Sequence, residues 1–315
     1  MGLFLRRLLL FLFATAVSLV LAEVAWRWLR SPALGPLNNP VYCRYDSRLG
    51  WRPIPGARAV HRTPDFEVPI AINRLGFRDR ERSANKAAGR RRILALGDSL
   101  TFGFGVETPE TFSARLEERL PNTEVWNLGV CGYGTDQALG LLESEGLAYE
   151  PDVVLVTLCG NDVEENLRST MYGRAKPRYR IDGDALRLEN VPVPRSFLLR
   201  WSHLYRSFHK HLWNWRRKPL DANEVLRGVR LTRRLLAEIA RRASARGAAT
   251  VVVQTTLDFE VPDRTDGYHA LDLADSLAGR DDLVFENDPH WNARGHAFVA
   301  ERIAAFLRAR GLVGP

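Results

Sequence analysis

At 315 residues, with 45% hydrophobic and 26% charged side chains, the chain has ordinary globular composition and can bury a sizeable core, as one large α/β domain or two small ones. Its net charge of +8 rests on arginine, with lysine only at Lys86, Lys176, Lys210 and Lys218; no basic patch with ordered aromatic spacing accompanies it, which argues against a nucleic-acid partner. Three cysteines, Cys43, Cys131 and Cys159, are too few for a disulfide framework, and none has zinc-site spacing.

In chain order, Leu8 to Ala22 is an unbroken run of apolar and small residues behind Arg6 and Arg7, the pattern of an export signal. Extended through Trp26 and Trp28 it reaches spanning length, so an uncleaved signal anchor over residues 1–28 is the preferred reading. Cleavage at Val20-Leu21-Ala22 is its competitor. Either way the paired arginines hold the N-terminus in the cytoplasm and place the remaining chain across the membrane. From 29 to 88, prolines recur (Pro32, Pro36, Pro40, Pro53, Pro55, Pro64, Pro69) without a sustained helical period, which predicts an irregular extension with short strands at most around Val68 to Ile72.

Regular alternation starts after Arg91 and Arg92. Ile93 to Leu96 reads as a strand buried on both faces; Thr108-Pro109 opens a helix carrying Phe112, Leu116 and Leu120. Val125 to Asn127 is a second strand, Gln137 to Glu145 a helix and Val153 to Thr157 a third strand. This order predicts a three-layer α/β/α sandwich over residues 89–315 around a central, mostly parallel sheet, with its functional groups at the carboxyl ends of the strands. Between about 167 and 220 the pattern breaks at Pro177, Pro192 and Pro194, followed by an aromatic, basic stretch with Trp201, Tyr205, Trp213 and Trp215. An insertion with one helix packed on the domain is expected, a lid or membrane-interface element being the lesser alternative. A helix from Asn223 to Ala245, a strand from Thr250 to Thr255, a loop from about Leu257 to Gly279, a short strand at Leu283 to Phe285 and a helix from Asn292 to Arg310 complete the chain.

Four polar segments fall at strand ends or just before a helix. Gly97-Asp98-Ser99-Leu100-Thr101 places a serine on a tight turn, where its hydroxyl is a nucleophile if a base takes its proton; a helix-capping serine is the alternative. Asn127-Leu128-Gly129-Val130-Cys131-Gly132-Tyr133-Gly134 and Gly160-Asn161-Asp162 offer backbone N–H groups and an amide as oxyanion donors, although each such segment also punctuates ordinary loops. Asp288-Pro289-His290-Trp291-Asn292 sets a carboxylate beside an imidazole, with Asn292 as the next helix's N-cap; a turn aspartate and a surface histidine are the alternative. His209 and His211, two apart on an expected helix, make a poor metal pair, and neither a metal nor a cofactor is expected.

Together these four segments resemble the SGNH hydrolases, also called GDSL esterases, over roughly Arg91 to Arg310. The resemblance implies a flavodoxin-like α/β/α fold, Ser99 as nucleophile, His290 as its base, and an oxyanion hole from the Ser99 N–H, the Gly132 N–H and the Asn161 side chain. One departure is visible: the commonest family pattern has aspartate three residues before the histidine, where this chain has Asn287, so Asp288 is assigned to orient the ring, as in the SGNH-like domains of polysaccharide O-acetylation proteins. His296, within the last helix pattern, is a rival base with a packing role as the preferred reading. Cys131 and Cys159 adjoin oxyanion residues and would pair if oxidised, two small buried thiols being the preferred reading. The implied function is that of an acyl ester hydrolase or acyltransferase, anchored in the bacterial inner membrane with its catalytic domain in the periplasm. Its substrate would be an acylated carbohydrate or a small acyl ester. A catalytically silent glycan-binding or scaffold protein is the alternative.

Overall fold

The computed structural model describes residues 2–30, 42–198, 202–256 and 267–314. Pro32, Pro36, Pro40, Trp201 and the first part of the expected loop after Leu257 lie outside the described residues. Helix α1, Leu3–Arg30, carries a span candidate from Leu3 to Leu29 whose most apolar 18-residue window has mean hydropathy 2.4 and is not buried against protein. At 1.5 Å per residue it is about 40 Å long, enough for the ~30 Å core of a bilayer with some tilt.

The proline-rich segment that follows is more ordered than its sequence predicts. Strands β1 (Cys43–Asp46) and β2 (Gly50–Pro53) form one antiparallel hairpin, and β3 (Arg58–Arg62) and β4 (Glu67–Ala71) another. Strands this short, broken by prolines, leave no periodic signal. Their order comes from tertiary packing: Trp51 and Ile70 are buried in the domain core.

The central sheet is built from β5 (Arg91–Leu96), followed by α2 (Ser99–Phe102) and α3 (Phe112–Arg119); β6 (Thr123–Asn127), followed by α4 (Thr135–Ser144); and β7 (Val153–Leu158), followed by α5 (Asn161–Leu167). Two short hairpins come next, β8 (Thr170–Met171) with β9 (Arg174–Ala175) and β10 (Arg178–Asp182) with β11 (Ala185–Glu189), then helix α6 (His203–Arg216). Helix α7 (Ala222–Ser244), strands β12 (Ala249–Gln254) and β13 (His269–Asp272), a short α8 (Ala274–Leu277) and α9 (Ala293–Ala309) finish the fold. The five sheet strands run parallel in the order β13-β12-β7-β5-β6.

Side chains alternate between two apolar layers. Leu94, Leu96, Val154, Val156 and Val252 face α4, α7 and the N-terminal hairpins, whereas Ile93, Ala95, Val153, Leu155, Val251 and Val253 face α3 and α9. This is the expected three-layer α/β/α sandwich. Three expectations are corrected. The fifth strand is His269–Asp272, inside the segment read as a loop, and Leu283 to Phe285 is no strand: Asp281–Leu283 is a 3-10 turn, and Val284 makes only an isolated bridge to Trp291. The Leu283 carbonyl is taken by the Asn292 N–H (3.0 Å), which folds this stretch back under α9 instead of along the sheet. The insertion likewise holds two hairpins besides its helix.

Helix α6 docks on the end of α1. Trp26 Nε1 donates to Ser207 Oγ (3.1 Å), and the Glu23 carboxylate accepts from Ser202 Oγ (2.7 Å) and the Leu204 N–H (3.0 Å).

Candidate active site

Strand β5 lies between β6 and β7, so the loops leaving their carboxyl ends meet above one crevice, where the chain order reverses. Gly97 makes the turn out of β5 with φ +152; a Cβ there would overlap the hydroxyl oxygens of Thr101 and Thr157. Asp98 then accepts the Leu100 N–H (2.9 Å), starting the short α2, whose first residue is Ser99. Behind it the buried Arg78 guanidinium donates to the carbonyls of Phe102, Gly103 and Val106 and holds the following loop. Burial lowers Arg78 to about 10, so it is cationic at neutral pH.

His290 reaches Ser99 from the turn before α9. Ser99 Oγ donates to His290 Nε2 over 2.7 Å, and the ring's Nδ1–H donates to Asp288 Oδ1. The same carboxyl oxygen accepts the His290 backbone N–H at 2.9 Å, so the two-residue spacing is used as a turn that locks the ring's tautomer. Asn292 caps α9 through Oδ1, accepting from the N–H groups of Arg294 (2.9 Å) and Gly295 (3.1 Å). Asn287, at the commoner aspartate position, faces away from the imidazole and bonds to Asp65 of the β3–β4 turn through both its backbone N–H (3.2 Å) and its side chain (2.9 Å). Phe104 lies against the His290 ring (centroids 4.3 Å apart), backed by His61 and Phe66 from that hairpin. Burial lowers His61 to about 4, leaving it a neutral aromatic wall.

Gly132 (φ +74) follows β6 and Asn161 opens α5; with Ser99 and His290 they line a cleft of about 550 Å³. Cys131 and Cys159 line it too, as free buried thiols whose ionisation is suppressed chiefly by burial. Phe104, Tyr172, Thr256 and Pro289 also contribute to the wall. His296 is elsewhere: buried, stacked on Phe112, its Nδ1 accepting the Phe112 N–H (3.1 Å), and pushed by burial down to about 3. It is a neutral core histidine. Among the described residues, no cluster of three or more His, Cys, Asp or Glu side chains is arranged to hold a metal ion.

Several contributors carry no motif. Asp162 is buried and accepts from Thr135 N (2.7 Å), Thr135 Oγ1 (2.6 Å) and Cys159 N (2.9 Å), tying the loop after β6 to the loop after β7. Burial raises it to about 7. Glu165, one turn below Asn161 on α5, accepts from Asn161 Nδ2 (3.0 Å) and from Tyr172 Oη; burial, then the neighbouring Asp162 charge, push it up to about 8. Only the four-residue spacing of Asn161 and Glu165 hints at this in sequence. Asp65 and Arg78, both in the proline-rich extension, give no sequence signal at all.

The fold has distant likenesses. The protein TesA aligns at 15% identity over 70% of this chain and 99% of its own (TM-score 0.43). The lipase/acylhydrolase from Enterococcus faecalis aligns at 14% over 71% and 98% (0.43). The psychrotrophic esterase EstA from Pseudoalteromonas sp. aligns at 16% over 70% and 97% (0.41). No curated protein matches. The profile of the GDSL-like Lipase/Acylhydrolase family matches residues 95–298, more than half of the chain and the span that holds all four polar segments; the chain belongs to that family.

Proposed function

We propose that the chain is a membrane-anchored serine esterase that removes or transfers an acyl group on an O-acylated envelope glycan or small acyl ester through Ser99, His290 and Asp288. Family membership supports hydrolysis of esters. The observation that carries the finer reading is the continuous hydrogen-bonded line from Ser99 Oγ through His290 to Asp288, opening on a cleft that also presents Gly132 and Asn161.

In this mechanism His290 Nε2 takes the Ser99 proton as Oγ attacks the ester carbonyl, and Asp288 stabilises the imidazolium. The Ser99 and Gly132 N–H groups and the Asn161 amide receive the oxyanion. The imidazolium then protonates the departing alcohol, leaving an acyl-enzyme that water or a sugar hydroxyl discharges. Helix α1 would hold this domain at the inner membrane, facing the periplasm, as the flanking Arg6 and Arg7 direct.

The test is p-nitrophenyl acetate turnover by the full chain in detergent. Ser99→Ala and His290→Ala should each lower kcat by about 1,000-fold or more. Asp288→Asn, which leaves the wrong tautomer, should cost about 100- to 10,000-fold. Wild-type turnover no faster than Ser99→Ala, with no labelling by a fluorophosphonate, would instead favour a silent glycan-binding protein.

A further inference from the structure

We propose that Glu165 is a positioning residue for the oxyanion hole: its carboxyl accepts one hydrogen of the Asn161 amide and so fixes the orientation of that amide at the cleft beside Ser99. The inference rests on the reading of Asn161 as an oxyanion donor. Asn161 is exposed at the cleft and, as the first residue of α5, has no preceding helical turn to hold its side chain. Glu165 is fully buried one turn below, and its Oε1 accepts from both Asn161 Nδ2 (3.0 Å) and Tyr172 Oη. An amide with one N–H tied down by an acceptor has a single remaining N–H to offer, and its direction is then set. Tyr172, itself a wall of the cleft, braces the same oxygen from the β8–β9 hairpin.

The protonation state matters as much as the geometry. Glu165 Oε2 has no hydrogen-bond partner among the described residues, and the groups facing the carboxyl are mostly acidic. Asp162 lies on its own helix, Asp98, which also interacts with the Asn161 side chain, in the turn before Ser99, Cys159 after β7 and Tyr172 in the insertion. Lys176 of the insertion spends its charge on Asp136 of α4 and on the Glu165 backbone carbonyl (2.8 Å). Arg217, beyond α6, is paired with Glu164. Burial and these neighbours raise Glu165 to about 8, so its neutral form predominates at pH 7. This is the form catalysis needs, because a carboxylate directly behind the Asn161 amide would oppose the negative charge growing on the substrate oxygen.

Glu165→Gln keeps the acceptor and the shape while removing the titration. The assay is kcat and KM for p-nitrophenyl acetate by the full chain from pH 6 to pH 9.5, corrected for spontaneous hydrolysis, with a thermal melt of each variant. Wild type should lose on the order of tenfold in kcat, with little change in KM, as pH rises through about 8, where Glu165 ionises. Glu165→Gln should match wild type at pH 7 within about threefold and stay flat at high pH. Glu165→Ala should lower kcat at least about tenfold, and should add little to an Asn161→Ala background. An alkaline fall in Glu165→Gln equal to that of wild type, or additive losses for Glu165→Ala and Asn161→Ala, overturns the positioning role. Activity surviving in Ser99→Ala would overturn the underlying serine reading instead, so the two failures are distinguishable.

Discussion

Replacing Lys176 by methionine removes the only cation from a buried pair. Lys176 and Asp136 are both fully buried and ion-paired, joining the insertion to α4, and burial raises Asp136 even with the lysine in place. Breaking such a pair leaves an uncompensated charge and typically costs about 3–5 kcal/mol. The structure caps the loss, because a stranded Asp136 can take up a proton. Protonating a carboxyl of ordinary pKa about 3.9 at pH 7 costs about 4 kcal/mol, at 1.36 kcal/mol per unit. For a 315-residue chain that corresponds to a fall in Tm of about 6 °C.

The pH dependence follows from the same carboxyl. In Lys176→Met the folded Asp136 sits above its unfolded value, so the variant's stability is intact below that unfolded value and is lost as pH rises through the folded one. The deficit against wild type should therefore grow from pH 5 to pH 7, by at most about 2.7 kcal/mol, because wild-type Asp136 is itself raised. Adding Asp136→Asn keeps an acceptor for the Gln137 N–H (2.8 Å) and removes the stranded charge, so the double variant should recover at least half of the loss at pH 7. Thermal unfolding followed by tryptophan fluorescence in detergent reads all three. A Tm within about 2 °C of wild type at pH 7, or a deficit equal at the two pH values, refutes the reasoning.

Gly97→Ala should abolish esterase activity and lower Tm, because its Cβ meets the Thr101 and Thr157 hydroxyls at a positive φ; a folded, active variant counts against the tight turn. His296→Gln tests the buried neutral histidine. Its depressed folded value gives stability that is fully present above about pH 6.5 and is lost as pH falls toward about 3, so the variant should show a shallower acid limb in its melts, with p-nitrophenyl acetate turnover at pH 7 within about twofold of wild type. Loss of turnover in a folded His296→Gln would restore His296 as a base.

The sandwich was legible in the sequence because a strand buried on both faces is a short apolar run, and Ile93 to Leu96, Val153 to Thr157 and Thr250 to Thr255 are such runs separated by helical periods. Turn chemistry also placed Ser99, Gly132 and Asn161 at strand ends and Asn292 at a helix start, since glycine turns and N-caps are local features. Strand β13 was hidden because it lies at the sheet edge, where half-buried His269 and exposed Asp272 carry no apolar run. Strand order was beyond the sequence as well, and it is strand order that sets β5 between β6 and β7 and so gathers three distant loops over one cleft.

The proline-rich extension shows the limit most plainly. Its hairpins, Arg78 on the loop after Ser99 and Asp65 on Asn287 make it part of the site's frame, through contacts spanning 24 to 222 residues of chain. Local propensity determines which residues can turn, cap or extend. Only the closed tertiary structure decides which carboxyls lose water and so which, like Glu165, are raised, because burial and neighbouring charge come from chain segments that no local pattern connects.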